Sequence, residues 1–406
     1  MVKYVVILFE VHQPYRLKTD LVSGLINNFS SRDLRDLIFD EGLNSTVIKK
    51  VSSRCYIPTT KLLIETLKSV RGSVKINFSF SGVFLEQLMR YVPEVIELFK
   101  DLINSELAEV VVEPYYHSLT SVYEDPREFI TQVNLQVGLI KELFGVVPNV
   151  FVNTEMIYNN TIASIVSDLG FKAVFTEGVE RVLKGRSPNH VYSPPTSTIH
   201  LFLRNYRLSD DVAFRFTNRS WDQYPLFADK YLDWIMKSPG DLVVLAMDYE
   251  TFGEHQSVES GILEFLKHLI MFMVKNGVEV LTASEAVKMF KPVDVYDVPP
   301  ENTISWADVE KDLSAWLGCE EQLTVFNRHK SLWRVINELD DNDDLISVWR
   351  YLSTSDHYYY ISSKGESSGE VHKYFLPYGS RINAYCILNT ALTILELRML
   401  GLLNSW

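Results

Sequence analysis

Asp241–Gln256 reads DLVVLAMDYETFGEHQ. The apolar run Leu242–Met247 is too short for a buried helix and fits a core strand. It stops at Asp248, with Glu250, Glu254 and His255 close behind. Carboxylates at the end of a core strand cost free energy unless they are paired, hydrated or used. The run has companions: VKYVVILFEV (2–11), VKINFSF (74–80), LAEVVVE (107–113), NVFVN (149–153), KAVFTEG (172–178), TIHLFLR (198–204) and VEVLTA (278–283). Between them lie stretches with apolar spacing of three and four, such as 47–70 and 129–146, with Gly and Pro at the joins. Strands alternating with helices, rich in Val and Ile, predict a parallel sheet covered on both faces. With so many repeats, a closed α/β barrel is expected over an open sheet.

Two irregular stretches interrupt the alternation. KGRSPNHVYSPPTST (184–198) reads as a long functional loop. VDVYDVPPENT (293–303) marks the end of the barrel, and the character then turns helical in SWADVEKDLSAWLG, EEQLTVFNRHKSLWRVINEL and SRINAYCILNTALTILELRML. The expected organisation is a barrel over 1–292 and a helical domain over 293–406.

Composition excludes several function classes. The chain has 406 residues, of which 47% are hydrophobic and 22% charged, as expected of a globular protein with a sizeable core. The net charge of −13 opposes a nucleic-acid partner. The apolar stretch at the N-terminus is too short to span a membrane and no cleavage-site pattern follows it, so a cytoplasmic protein is expected. The cysteines, Cys55, Cys319 and Cys386, show no CxxC spacing, which disfavours disulfides and thiolate zinc sites. Cys55 and Cys386 read as buried apolar residues. Aromatics at 12% suit either large cores or a cleft that stacks sugar or nucleotide rings.

Catalytic groups of a parallel barrel come from the C-terminal strand ends and the loops after them. There the sequence places His12, Glu86, Glu113 followed by His117, Glu155, and Asp248. Glu155 and Asp248 both follow apolar strands directly, as required of a nucleophile and a general acid in acetal hydrolysis. In extended chain Asp248 and Glu250 would share a side, and like-charge repulsion from Glu250 would keep Asp248 protonated. Taken singly, these residues have plainer readings. His12 suits a hydrogen-bonded core histidine. Asp356 suits a helix cap. Trp221 and Trp306 suit packing as well as a sugar platform. No phosphate-binding glycine loop is present. A metal-dependent deacetylase or mannosidase is disfavoured, because HQP supplies one histidine with no second ligand two residues on. No metal or cofactor is expected, and oligomeric state is left open.

FEVHQPYRL, FVNTEMIYNN and MDYETFGEHQ together resemble the motifs of glycoside hydrolase family 57, and SWADVEKDLSAWLG and TSDHYYYISSKGESSGEVHKYFLPY resemble the C-terminal part of its archaeal-type α-amylases. The resemblance implies an incomplete (β/α)7 barrel with a C-terminal α-helical domain. It implies a retaining hydrolase of α-1,4-glucosidic linkages, with Glu155 as nucleophile and Asp248 as acid/base. His12, Glu86, Glu250 and Asp356 match positions that hold the sugar. Trp221 and Trp306 match aromatic positions lining the cleft, His117 and His255 belong to motif segments and are grouped with the substrate-binding residues, and Asp211 lies in another family-like segment. The expected partner is an α-glucan or maltooligosaccharide. A 4-α-glucanotransferase or branching enzyme with the same catalytic pair, or a non-catalytic glucan-binding protein, remains the alternative.

Overall fold

The computed structural model describes residues 1–21, 33–70, 72–339 and 344–401. The described strands include β1 (Tyr4–Val11), β2 (Ile76–Phe80), β3 (Ala108–Val111), β4 (Val150–Val152), β5 (Ala173–Glu177), β6 (Val191–Ser193), β7 (His200–Arg204) and β8 (Leu242–Asp248), and all of these but β6 fall on the predicted apolar runs. β1 pairs in parallel with β8 on one side and β2 on the other, and β2 pairs with β3. β4 pairs with β5, β5 with β7, and β7 with β8 through Arg204 and Val244. A parallel bridge between Val112 and Phe151 joins β3 to β4. With it, seven parallel strands complete a circuit. This agrees with the α/β barrel expected from the strand–helix alternation, which the family resemblance described as an incomplete (β/α)7 barrel.

The join at Val112 rests on two backbone hydrogen bonds, Val112 N–H to Val150 O at 2.9 Å and Val152 N–H to Val112 O at 2.8 Å. The strand Glu279–Leu281 pairs with the N-terminal half of β1, below the place where β2 takes over. Side chains alternate across each strand. Val6 and Leu8 join Val150, Val152, Val244, Ala246, Phe175 and Phe202 in one apolar cluster. Phe9, on the other face of β1, packs against Phe78, Tyr249 and Phe252 under the surrounding helices.

Several local expectations are corrected. The 184–198 stretch is not loop throughout, because β6 lies within it, antiparallel to β7 and parallel to Asp294–Val295. SWADVEKDLSAWLG is helical only over Ser314–Leu317. Asp308 and Lys311 take positive φ, at 57° and 52°, which interrupts any helix before it. Cys55 is buried as expected, but Cys386 is exposed on the helix Arg381–Met399.

The chain divides into two units that are not contiguous in sequence. The first comprises Met1–His12, Val47–Tyr115 and Ile130–Trp306, and contains the barrel. The second comprises Gln13–Thr46, Tyr116–Phe129 and Ala307–Trp406. Residues 293–306, expected at the start of the helical domain, thus lie with the barrel. Gln13–Thr46 and Tyr116–Phe129, which follow β1 and β3 in the chain, belong to the second unit. Among the described residues no helix is long and apolar enough to cross a membrane.

The second unit is organised around buried polar pairs. Arg350 grips Glu128 with two bonds, Nε to Oε1 at 2.9 Å and Nη2 to Oε2 at 3.2 Å. His329 is fully buried and stacks on Trp349 at 4.7 Å. Its Nε2 faces the Trp349 carbonyl at 2.8 Å and its Nδ1 the Tyr123 hydroxyl at 2.9 Å. A carbonyl can only accept, so Nε2 carries the proton and Nδ1 accepts from Tyr123. Burial pushes the imidazole down to about 4, against about 6.5 for a free histidine.

The unfolded chain therefore binds a proton at His329 that the folded chain refuses. Stability falls as pH drops from about 6.5 to about 4 and gains nothing from this residue above that window. Urea unfolding followed by tryptophan fluorescence is expected to lose a few kcal/mol across the window. His329→Gln is expected to flatten that part of the pH dependence.

Candidate active site

Closing the barrel gathers the C-terminal strand ends at one mouth, and the residues there are polar and buried. Glu10 of β1 lies in register between Ser79 of β2 and Asp248 of β8. Ser79 Oγ donates to Glu113 Oε1 at 3.0 Å, just past β3. β5 ends in Glu177 and β7 in Arg204, both buried.

Glu155 follows β4 in the turn Thr154–Met156. Its backbone is left-handed, φ 56° and ψ 25°, and Met156 follows at φ 53°. Consecutive non-glycine residues in this region are strained, and such strain persists only where surrounding contacts impose it. Trp306 supplies two of them. Its backbone N–H donates to Glu155 O at 3.1 Å and its indole Nε1–H to Glu155 Oε2 at 2.6 Å. Trp306 therefore engages the Glu155 carboxylate through its indole N–H.

Asp248 is the last residue of β8 and half-buried. The chain does not continue extended beyond it. Tyr249–Thr251 turn into a 3-10 helix, so the expected same-side alternation of Asp248 and Glu250 does not hold. Glu250 is buried and accepts a short hydrogen bond from the Tyr56 hydroxyl. Tyr56 ends a single π-helical turn, Ser52–Tyr56, a distortion frequent at functional sites. Gly253 lets this turn approach, since a Cβ there would sit 2.1 Å from Arg54 O. Nearby His255 is half-buried, and the surrounding protein pushes its pKa down to about 4.

His12 Nδ1 lies 2.7 Å from Ser81 Oγ, and Ser81 caps the helix Gly82–Tyr91 that carries Glu86. Tyr115 donates to Glu86 Oε1 at 2.7 Å. Trp221 is half-buried, edge-on to Trp234 and under Arg215, which bonds Asp211 at 2.7 Å. Burial raises the Asp211 pKa, against the pull of Arg215. Two expected residues belong to the second unit. His117 is buried with φ 49°, and its carbonyl accepts from Ser355 N–H. Asp356 stands in the first turn of Ser355–Tyr359, whose N-cap position is held by Thr354, and the Tyr360 hydroxyl lies 3.4 Å from its Oδ1.

Sequence reading missed Glu177 and Arg204. Arg204 is 3% exposed and bonds Glu177 Oε2 at 2.9 Å, the Ala246 carbonyl at 2.7 Å, and Asp210. Burial opposes its charge, but Asp210 and Glu177 together hold its pKa above the usual value. The signal was present in FTEG and FLRN, where a charged residue stands at or near the end of an apolar run.

A model of glycosyl hydrolase family 57 matches residues 6–299, most of the chain. The chain belongs to this family. As a family 57 member it is a glycoside hydrolase. A "Putative alpha-amylase" of Methanocaldococcus jannaschii is 44% identical over 385 residues, covering 93% of this chain and 80% of that one. Among solved structures, a branching enzyme of Thermococcus kodakaraensis superposes with a TM-score of 0.68 at 13% identity, over 99% of this chain and 92% of its own. A 4-alpha-glucanotransferase of Thermococcus litoralis gives 0.64 at 16% identity, over 88% of this chain but only 56% of its own length. At such identities the two structures support the fold alone.

Gly82 tests how tightly this family 57 site is built. A Cβ at that position would meet the Tyr115 ring at 2.5 Å. Gly82→Ala is expected to displace Tyr115 from Glu86 and to destabilise the protein by about 1–3 kcal/mol, read by denaturant unfolding.

Proposed function

We propose that the chain is a retaining glycosidase of α-1,4-linked glucans, with Glu155 as nucleophile and Asp248 as general acid/base. One observation carries this reading: Glu155 and Asp248 stand at C-terminal strand ends of the same barrel and are linked through a chain of side-chain contacts. Trp306 bonds Glu155, the Trp306 ring packs on Arg204, and Arg204 bonds Ala246, two residues before Asp248. The Methanocaldococcus jannaschii relative, described as a "Putative alpha-amylase", supports the substrate class.

In this mechanism the Asp248 carboxyl protonates the glycosidic oxygen as that bond breaks, and Glu155 attacks the anomeric carbon. Asp248, then ionised, takes a proton from water, which displaces Glu155 and restores both groups. His12, Glu86 and Glu250 hold the sugar, each already oriented by Ser81, Tyr115 or Tyr56. Asp356, His117, His255 and Trp221 are proposed as further substrate contacts. A second reading, 4-α-glucanotransferase or branching enzyme, keeps the same pair and replaces water with a sugar hydroxyl. It draws on the likeness to both kinds of enzyme.

Incubation with maltoheptaose and separation of all products over time decides between them. Shorter products with a matching rise in reducing ends are expected for hydrolysis; chains longer than seven units would establish transfer. Glu155→Gln and Asp248→Asn are each expected to lower kcat by about a thousandfold or more while sugar binding persists. Near-normal turnover by either variant would show that the catalytic pair is misassigned.

A further inference from the structure

Trp306 holds Glu155 at two atoms, the carboxylate oxygen and the main-chain carbonyl. A side chain that orients another must itself be fixed, and an indole ring is fixed by what lies on its face. Over this ring lies the Arg204 guanidinium, with Cζ 5.4 Å from the centroid, and the ring also packs against the apolar cluster of the barrel. Arg204 is held in turn by Glu177, Asp210 and the Ala246 carbonyl. A guanidinium bonded to three acceptors is a rigid plate, and its stacking on an aromatic face depends on that planarity. The anchoring carbonyl belongs to β8, the strand that ends in Asp248. The charge cluster thus has a geometric consequence beyond pairing its own charges.

We propose that Arg204 is a positioning residue, whose guanidinium sets the plane of the Trp306 indole and through it the orientation of the Glu155 carboxylate. The inference rests on the reading of Glu155 as nucleophile. Glu177 and Asp210 serve by locking the guanidinium. A lysine at this position would keep the positive charge but offer no plate for the indole.

The test uses Arg204→Lys, Trp306→Phe, their combination, and Asp210→Asn in the full chain. Asp210→Asn loosens the guanidinium while leaving Arg204 and Glu177 as a balanced pair, so it serves should the lysine variant not fold. The indole N–H resonance of Trp306 is assigned as the cross-peak lost in Trp306→Phe. It is expected to move toward the position of a solvent-exposed indole in Arg204→Lys and in Asp210→Asn. A resonance unmoved in folded variants would overturn the proposal.

With maltoheptaose, Arg204→Lys is expected to lower kcat about tenfold with KM within about twofold. The double variant should turn over no more slowly than Trp306→Phe alone, because residues acting through one path are not additive. Losses that multiply would mean that Arg204 does not act through Trp306. Normal turnover by Glu155→Gln would remove the catalytic reading instead, and the indole resonance would still decide whether Arg204 controls Trp306.

Discussion

Every strand of a closed parallel circuit ends at the same mouth, and the residues at those ends and just past them have nowhere else to go. In this chain they are Glu10, Glu113, Glu155, Glu177, Arg204 and Asp248, brought together by the pairing of β1, β2, β3, β4, β5, β7 and β8. Leaving such groups buried and unpaired costs far more than any one of them returns in stability. The mouth is therefore built as a set of mutual restraints, and this requirement shapes the surrounding backbone. The left-handed turn at Glu155, the π-helical turn before Tyr56 and the bare Cα of Gly82 are local departures that bring partners within hydrogen-bonding distance.

Arg204 ties several of these groups together. A lone buried guanidinium would be costly, but two carboxylates and a carbonyl satisfy it, and its face remains for Trp306. The same arrangement explains why 293–306 stays with the barrel. That segment adds a short strand against β6, a bridge between Ile304 and Tyr158, and finally the indole on Glu155. By contrast, the chain after β1 and after β3 leaves the barrel and joins the helical unit.

Much of the barrel could be read from residue order. Buried parallel strands need unbroken apolar runs, and each of the eight runs singled out contains or overlaps a strand. Glu155 and Asp248 were visible because a carboxylate directly after such a run is chemically conspicuous. What failed was reasoning that assumed regular local geometry across a junction. Asp248 and Glu250 do not alternate, because the chain winds into a 3-10 turn. Helical spacing around 306–313 was misleading, because two residues there take positive φ. Cys386 reads as apolar, yet it lies on the exposed face of its helix.

By itself the sequence determined the alternation of strands and helices, the family, and the carboxylates at two strand ends, because periodicity and motif are local properties of the chain. Only the tertiary structure decided which side chains hold those carboxylates. Trp306 lies 151 positions from Glu155, and Tyr56 lies 194 from Glu250. Partners so distant meet only through the closing of the barrel, and no local pattern encodes which of many tyrosines or tryptophans will arrive.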